Sequence, residues 1–297
     1  MSLQTVQTDS TAKFAKTLDR LIQMSKADTY DPLKDFDWPA SIPEDNLWMS
    51  RHLLSVAGTR FEQELSEEQL IKLSKWESIN FFSLNVSGIR ELLLEVVSRI
   101  HSPGFEVSSE YLHYFVGEEN EHMWYFARFC RDYGGKIYND RRVRFEEAPE
   151  PDMQHFQVFV KVLIFEEIVD FYNSEMAKDA TLHPTIRDIN RLHHLDETRH
   201  ITFGRQNLEL LHRQLRENYS EERIRDLEKQ LKRLMLVSIQ KLYNPEIYKD
   251  AGLPEPHKIR NELLRHPVRQ EFHRKVLSRT VDFFVQKGIF QDGEMQL

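Results

Sequence analysis

Two short motifs constrain this chain more than anything else in it. Glu119-x-x-His122 and His193-x-x-x-Glu197-x-x-His200 stand about seventy residues apart, each in a stretch whose apolar residues recur at helical spacing. At ~100° per residue, positions three or four apart project from one face of a helix. Either motif alone is also what a solvated helix face carries. The flanking residues decide between the two. Glu119 lies among Tyr114, Phe115, Val116, Trp124, Tyr125, Phe126 and Phe129, and a further acidic pair, Glu166-Glu167, sits inside Val162-Leu-Ile-Phe-Glu-Glu-Ile-Val169. Carboxylates in such surroundings are costly unless they are paired or bind a metal. Glu and His side chains converging from several helices are the donors by which a bundle holds two iron or manganese ions.

The expected fold is all-α, a ferritin-like di-metal helical bundle with extra N- and C-terminal helices. Only 10 Gly and 11 Pro occur, and they fall between the apolar-periodic stretches. A polar start gives way to a helix over 13–24. Residues 28–47 are acidic and carry Pro32, Pro39 and Pro43, which predicts an extended arm. The reading is of 1–65 as helix and arm packed on the bundle and 66–297 as bundle plus C-terminal helices, one domain overall. Ser66-Glu-Glu-Gln69 is a capping box that opens a helix to about His101. Ser108 or Ser109 caps the next, which Gly134-Gly135 stops. A charged connection at Arg141–Pro151 precedes a helix from Asp152 to about Lys178, and Pro184 begins the one bearing the second motif. Helices from Ser220 to about Tyr243, near 257–265 and at 267–287 complete the chain.

In such a bundle each of two antiparallel hairpins supplies one Glu and one Glu-x-x-His. Glu119 stands about eleven residues into its helix, so its partner belongs near position 90 of the preceding one. Glu91 fits. Glu77 is about 20 Å farther along at ~1.5 Å per residue, and Glu95 is one turn too close to the loop. In the second hairpin Glu166 shares a face with Val162, Val169 and Asp170 and is preferred to Glu167.

The formal net charge of −8 argues against a nucleic-acid partner. The single Cys130 offers no disulfide framework, which suits a reducing compartment. Lys161 interrupts the most apolar run, so no membrane span is expected, and the first residues lack a basic and apolar leader. A cytoplasmic location is expected; the sequence leaves a homodimer open.

Asp179-Ala180-Thr181, then Pro184, then Arg-Leu-His193-His194-Leu-Asp196-Glu197-Thr-Arg-His200 resembles the p-aminobenzoate N-oxygenase family of non-haem di-iron enzymes. The likeness runs over 28–245 and is strongest from 160 to 205. It implies Glu119, His122, Glu166, His193, Glu197 and His200 as metal ligands, with Glu119, Glu166 and Glu197 the catalytic carboxylates. Where the family has its first-helix Glu, this chain reads Ser87-Gly88-Ile89, with Glu91 the nearest substitute. The implied cofactor is two iron ions per chain, manganese being the alternative. The implied partners are O2, a small organic substrate (an arylamine in the family) and an external electron donor.

Other residues are weaker candidates. Phe115, Trp124, Phe171 and Tyr172 are candidate cavity walls, although core packing accounts for each. His194 points ~100° away from His193, and Asp196 either orients a liganding His or is solvated. The basic stretch from His257 to Arg279 is an exposed face or a docking surface for an acidic donor. Besides the oxygenase, two readings stand: a metal-storage or metal-delivery protein on the same bundle, and a ligand-depleted bundle with a binding role.

Overall fold

The computed structural model describes residues 3–140 and 148–295. Helices dominate it: α1 (Leu3–Ala27), α2 (Arg60–Glu64), α3 (Glu67–Val97), α4 (Ser109–Gly134) and α5 (Pro151–Lys178). They are followed by α6 (Pro184–Asn218), α7 (Glu221–Lys241), α8 (Pro245–Asp250), α9 (Pro256–Arg265) and α10 (Pro267–Gln286). Among the described residues the extended chain forms no strand, only one isolated bridge between Leu47 and Leu182. This is the expected all-α architecture. No helix among the described residues is long and apolar enough to cross a membrane.

Two antiparallel hairpins, α3–α4 and α5–α6, make the bundle. Local chemistry fixes their ends. The Ser66 hydroxyl accepts from the Gln69 N–H at 3.2 Å while the Gln69 side chain accepts from the Ser66 N–H at 2.9 Å, the reciprocal capping pair that starts α3. Gly135, at φ 69°, takes the left-handed conformation that ends α4. Pro151 and Pro184 occupy the first turns of α5 and α6, where a missing N–H costs nothing. The hairpins are held by apolar stacking: Phe82 meets Phe126 and Phe129 at ring-centroid distances of 5.0 and 4.9 Å, and Phe81 meets Tyr172 at 5.2 Å.

Helix α1 is longer than expected and buries Phe14, Leu18, Leu21 and Ile22, with Phe14 stacked on Phe203 of α6. The arm after it has no helix before the short 3-10 turn at Arg51–Leu53. Its backbone is tied down by side chains of the bundle. Asp37 O accepts from Thr185 Oγ1 at 3.0 Å and Pro39 O from Tyr133 Oη at 2.8 Å. Helix α3 ends at Val97 rather than near His101: the N–H groups of Arg99 and Ile100 turn to carbonyls three residues back, and His101 then adopts a positive φ of 57°. Most of the charged connection expected at Arg141–Pro151 lies outside the described residues.

Candidate metal centre

Helices α4 and α6 bring Glu119, His122, Glu197 and His200 together, all buried, with one potential ligand atom of each within 4.8 Å of the others. Glu119 lies between two imidazoles, its Oε1 2.8 Å from His200 Nδ1 and its Oε2 3.6 Å from His122 Nδ1. Oε1 of Glu197 is 2.8 Å from His193 Nε2, 3.7 Å from His200 Nδ1 and 3.8 Å from His122 Nδ1. Glu166 of α5 is 1% exposed and faces the same group.

The donor set fits bound cations. His122 Nδ1, His200 Nδ1, His193 Nε2, Glu119 Oε1, Glu197 Oε2 and both oxygens of Glu166 are buried without a hydrogen-bond partner. Some approach within 2.8 Å yet lack hydrogen-bond alignment, as lone pairs aimed at a common point would. Buried polar atoms are otherwise almost always satisfied.

Electrostatics show the same demand for positive charge. Burial, reinforced by the charge of Glu197, pushes the Glu166 carboxyl far above its usual range. Burial also opposes ionisation of Glu197, but His193 and His200 outweigh it and hold that carboxyl low. For His122 burial acts downward, while Glu119 and Asp196 raise it to about 10. Without a cation the chain must therefore place protons on these groups. A metal pair would displace them, coupling binding to proton release.

Behind the cluster each imidazole is braced. The Nε2 of His122 is 2.9 Å from Asp196 Oδ2, and the Nε2 of His200 is 2.8 Å from Glu118 Oε2. The Asn173 amide faces His193 Nδ1. Arg199, itself buried, joins the two acids: its Nη2 donates to Glu118 Oε1 at 2.8 Å and to Asp196 Oδ1, and its Nη1 donates to Asp28 Oδ2 at 3.2 Å. Asp196 occupies the orienting place its sequence position suggested. Glu118, Asn173 and Arg199 escaped the sequence reading, although an acid directly precedes both Glu119 and Glu197.

The four donors that lie within 4.8 Å of one another do not include Glu91, which is half-buried on α3. Its height is right. Ser83 faces Cys130 across the first hairpin, and eight residues up α3 and back along α4 from that contact Glu91 stands roughly level with His122. The buried residues of α3 there are Asn85, Ser87, Ile89, Leu92 and Val96; Glu91 is one turn on from Ser87 and three residues from Gly88, which packs against Phe165 of α5. Glu91 lies ~100° round the helix from Leu92 and is only partly buried. Glu167 accepts from Arg205 Nε and Thr280 Oγ1, each at 2.7 Å, which turns it away from the cluster. His194 pairs with Asp170. Of the candidate walls, Phe115 stacks on His200 at 4.4 Å. Trp124 packs edge-on against Trp38 and Phe171 against Phe272, while Tyr172 stacks on Phe81.

Glu77 is buried elsewhere, accepting from the Ser55 N–H at 2.9 Å. Burial lifts its carboxyl to about 7, against opposing pulls from Ser55 and Arg269. A folded-state value above the unfolded one gives stability that is complete below the unfolded value and is lost as pH rises through about 7. Glu77→Gln should therefore stabilise the protein at pH 8 by on the order of 2–3 kcal/mol and by little near pH 5. Its metal content should not change. Urea unfolding at the two pH values checks this, and an equal effect at both would contradict it.

The family described as "P-aminobenzoate N-oxygenase AurF" matches residues 11–288. No curated protein matches the chain. Among solved structures, a point mutant of an R2-like ligand-binding oxidase with aerobically reconstituted Mn/Fe cofactor is similar at 17% identity. That match covers 95% of this chain and 94% of the other, with a TM-score of 0.45. The expected di-metal cofactor agrees with the family and with the buried Glu and His donors. The matched family is one of di-metal oxidoreductases that use O2 and a substrate. With the family match running over most of its length, this chain belongs to the p-aminobenzoate N-oxygenase AurF family.

Proposed function

We propose that this protein N-oxygenates a small amine with O2, using two iron ions held by Glu119, Glu166, Glu197, His122, His193 and His200. The observation that carries the reading is the set of buried, unpartnered carboxylate and imidazole atoms at the α4–α6 contact, which only cations would satisfy together. Glu119 and Glu197 each stand between imidazoles and would hold the metals together with them. When bound, the metal pair supplies electrons and open coordination positions for the reduction of dioxygen.

The residues of the chain have separate tasks. Asp196 and Glu118 accept from the Nε2–H groups of His122 and His200, which fixes the tautomer and leaves each Nδ1 lone pair for a metal. Asn173 braces His193 through its amide nitrogen, which faces Nδ1; turning the amide over would put its unpartnered carbonyl oxygen on an Nδ1–H and free Nε2 for a metal. Phe115 against His200 and Phe126 against His193 keep water from the ring faces. Electrons for repeated turnover come from an external one-electron donor.

The test is to load the chain with iron, reduce it and mix it with O2 in a stopped-flow instrument, with and without p-aminobenzoate and related amines. An absorbing species that decays faster with an arylamine, and ¹⁸O from ¹⁸O2 on the product nitrogen, are expected. Oxidation to a colourless form that no amine affects would favour metal storage. A response to non-amine substrates alone would keep the oxygenase and discard the amine.

A further inference from the structure

The turn that joins α3 to α4 brings together two metal-ligating side chains outside the centre described above. His101 of this turn and His113 of α4, 12 residues apart, face each other with their Nε2 atoms 3.1 Å apart. The rings are inclined at 48° with centroids 5.2 Å apart, and both residues are exposed. The turn that presents them is well anchored. Phe105 is buried and packs on Phe159 and His155 of α5 at 5.7 and 4.9 Å. Ser109, the first residue of α4, donates from its hydroxyl to Phe105 O at 2.7 Å and accepts from the His101 N–H at 2.8 Å. His113 lies four residues on and shares a face of α4 with Ser109. The residue that fixes the His101 backbone therefore stands one helical turn from the residue that meets its ring.

A hydrogen bond between neutral rings explains the distance but gives little reason for the arrangement. Between exposed groups such a bond contributes little, because water offers the same partners. His101 meanwhile sits at φ 57°, in the left-handed region that Gly or Asn adopts more readily. A shared cation accounts for both rings. Bonds from zinc to imidazole nitrogen are ~2.0–2.1 Å, so two such ligands stand ~2.9 Å apart at a right angle and ~3.4 Å apart at the tetrahedral angle. The 3.1 Å separation lies between those limits. Small ring rotations turn both Nε2 lone pairs onto one ion, leaving each Nδ1–H to solvent. No third protein donor completes the set: among the described residues, the one group of three or more potential ligands is the α4–α6 centre. Water takes the remaining positions. Two neutral nitrogens with no carboxylate suit zinc and its neighbours among the divalent transition ions, whereas calcium and magnesium take oxygen.

We propose that His101 and His113 form a binding site for one divalent transition ion, zinc foremost, which pins the α3–α4 turn to the second turn of α4. The site is separate from the di-metal centre and does not rest on the function proposed above.

The test uses the iron-loaded full chain, dialysed against excess zinc with magnesium present, beside its His113→Gln, His101→Asn and His257→Gln variants. Asn tolerates the left-handed backbone at 101 and Gln suits the helix at 113, so both variants should melt like the wild type without zinc. The wild type should take up about one zinc per chain and keep its iron. The variants at 101 and 113 should bind that zinc roughly tenfold more weakly or worse. His257→Gln, which removes an exposed histidine of α9, should match the wild type. Zinc should also slow amide exchange across residues 98–109 and protect His101 and His113 from diethyl pyrocarbonate, read by peptide mass. Equal zinc uptake by wild type and the 101 and 113 variants, zinc taken up only in exchange for iron, or no zinc uptake at all overturns the proposal. A chain that holds no iron pair defeats the functional reading alone, because the zinc difference between wild type and His113→Gln still decides this one.

Discussion

His200→Ala should leave the protein unable to hold its metals, with iron falling from about two per chain to less than one. The imidazole is the most connected donor of the centre. Its Nδ1 is 2.8 Å from Glu119 and 3.7 Å from Glu197, and its Nε2 is 2.8 Å from Glu118. Burial pulls the ring toward neutrality, but Glu197 and its neighbours hold it protonated until a metal takes the proton's place. Alanine removes both the ligand and the partner of a largely buried carboxylate, Glu118. His122→Ala should act in the same direction. His194→Ala is the control: it neighbours His193 in sequence but pairs with Asp170, and its metal content should be that of the wild type. Metal analysis after dialysis, beside thermal melts with and without added iron, reads the result. At a hundredfold excess over Kd a native-state ligand stabilises by ~2.7 kcal/mol, so the wild-type melt should shift with iron and that of His200→Ala should not. Undiminished metal in both histidine variants would remove these residues from the ligand set.

Helix periodicity made most of the bundle legible in advance. The capping box at Ser66, the Gly134-Gly135 stop and the prolines at 151 and 184 are local signals, and local signals set helix ends. The Glu119–His122 and Glu197–His200 pairs were readable because i, i+3 spacing fixes one face whatever the tertiary structure. The Glu91 expectation shows where such reasoning stops. Hairpin counting gives the height of a residue along the bundle but not its angle, which depends on which side of α3 meets its neighbours. Of the braces behind the histidines Asp196 was legible, but not which ring it serves, and Glu118 was hidden for the same reason. Glu118 of α4 holds His200 of α6, and Asp196 of α6 holds His122 of α4, so each acid serves the opposite helix. Sequence carries that exchange only as a repeated pattern, Glu118-Glu119-x-x-His122 and Asp196-Glu197-x-x-His200, whose meaning depends on the packing. The arm was expected as a cover. That Tyr30 reaches Asp196 is a long-range contact with no local signal.

Arg199→Met should be the most damaging single change outside the ligands themselves. Arg199 is 1% exposed and binds Glu118, Asp196 and Asp28 at once. Burial pulls its guanidinium down, yet Glu118 and Asp196 more than offset that pull and keep it charged. Methionine fills a comparable volume but leaves Asp196 and Glu118 without their cation in the interior. Breaking a buried ion pair from one side costs about 3–5 kcal/mol. The loss should also reach the metals, because a released Asp196 or Glu118 no longer orients His122 or His200. Removing such outer partners weakens metal binding by roughly 10–100-fold. Lysine should rescue little, since a single ammonium cannot reproduce the planar fork that reaches three carboxylates. Arg205→Met offers the comparison, its partner Glu167 retaining Thr280; it should cost distinctly less stability and leave metal affinity unchanged. The clean measurement is a double-mutant cycle with Asp196→Asn, read by urea unfolding and by competition for iron with a chelator. If Arg199 acts by neutralising Asp196, the paired variant should be more stable than the sum of the single effects allows. Additive losses, or an Arg199→Met protein with wild-type iron affinity, would mean that the guanidinium only fills space.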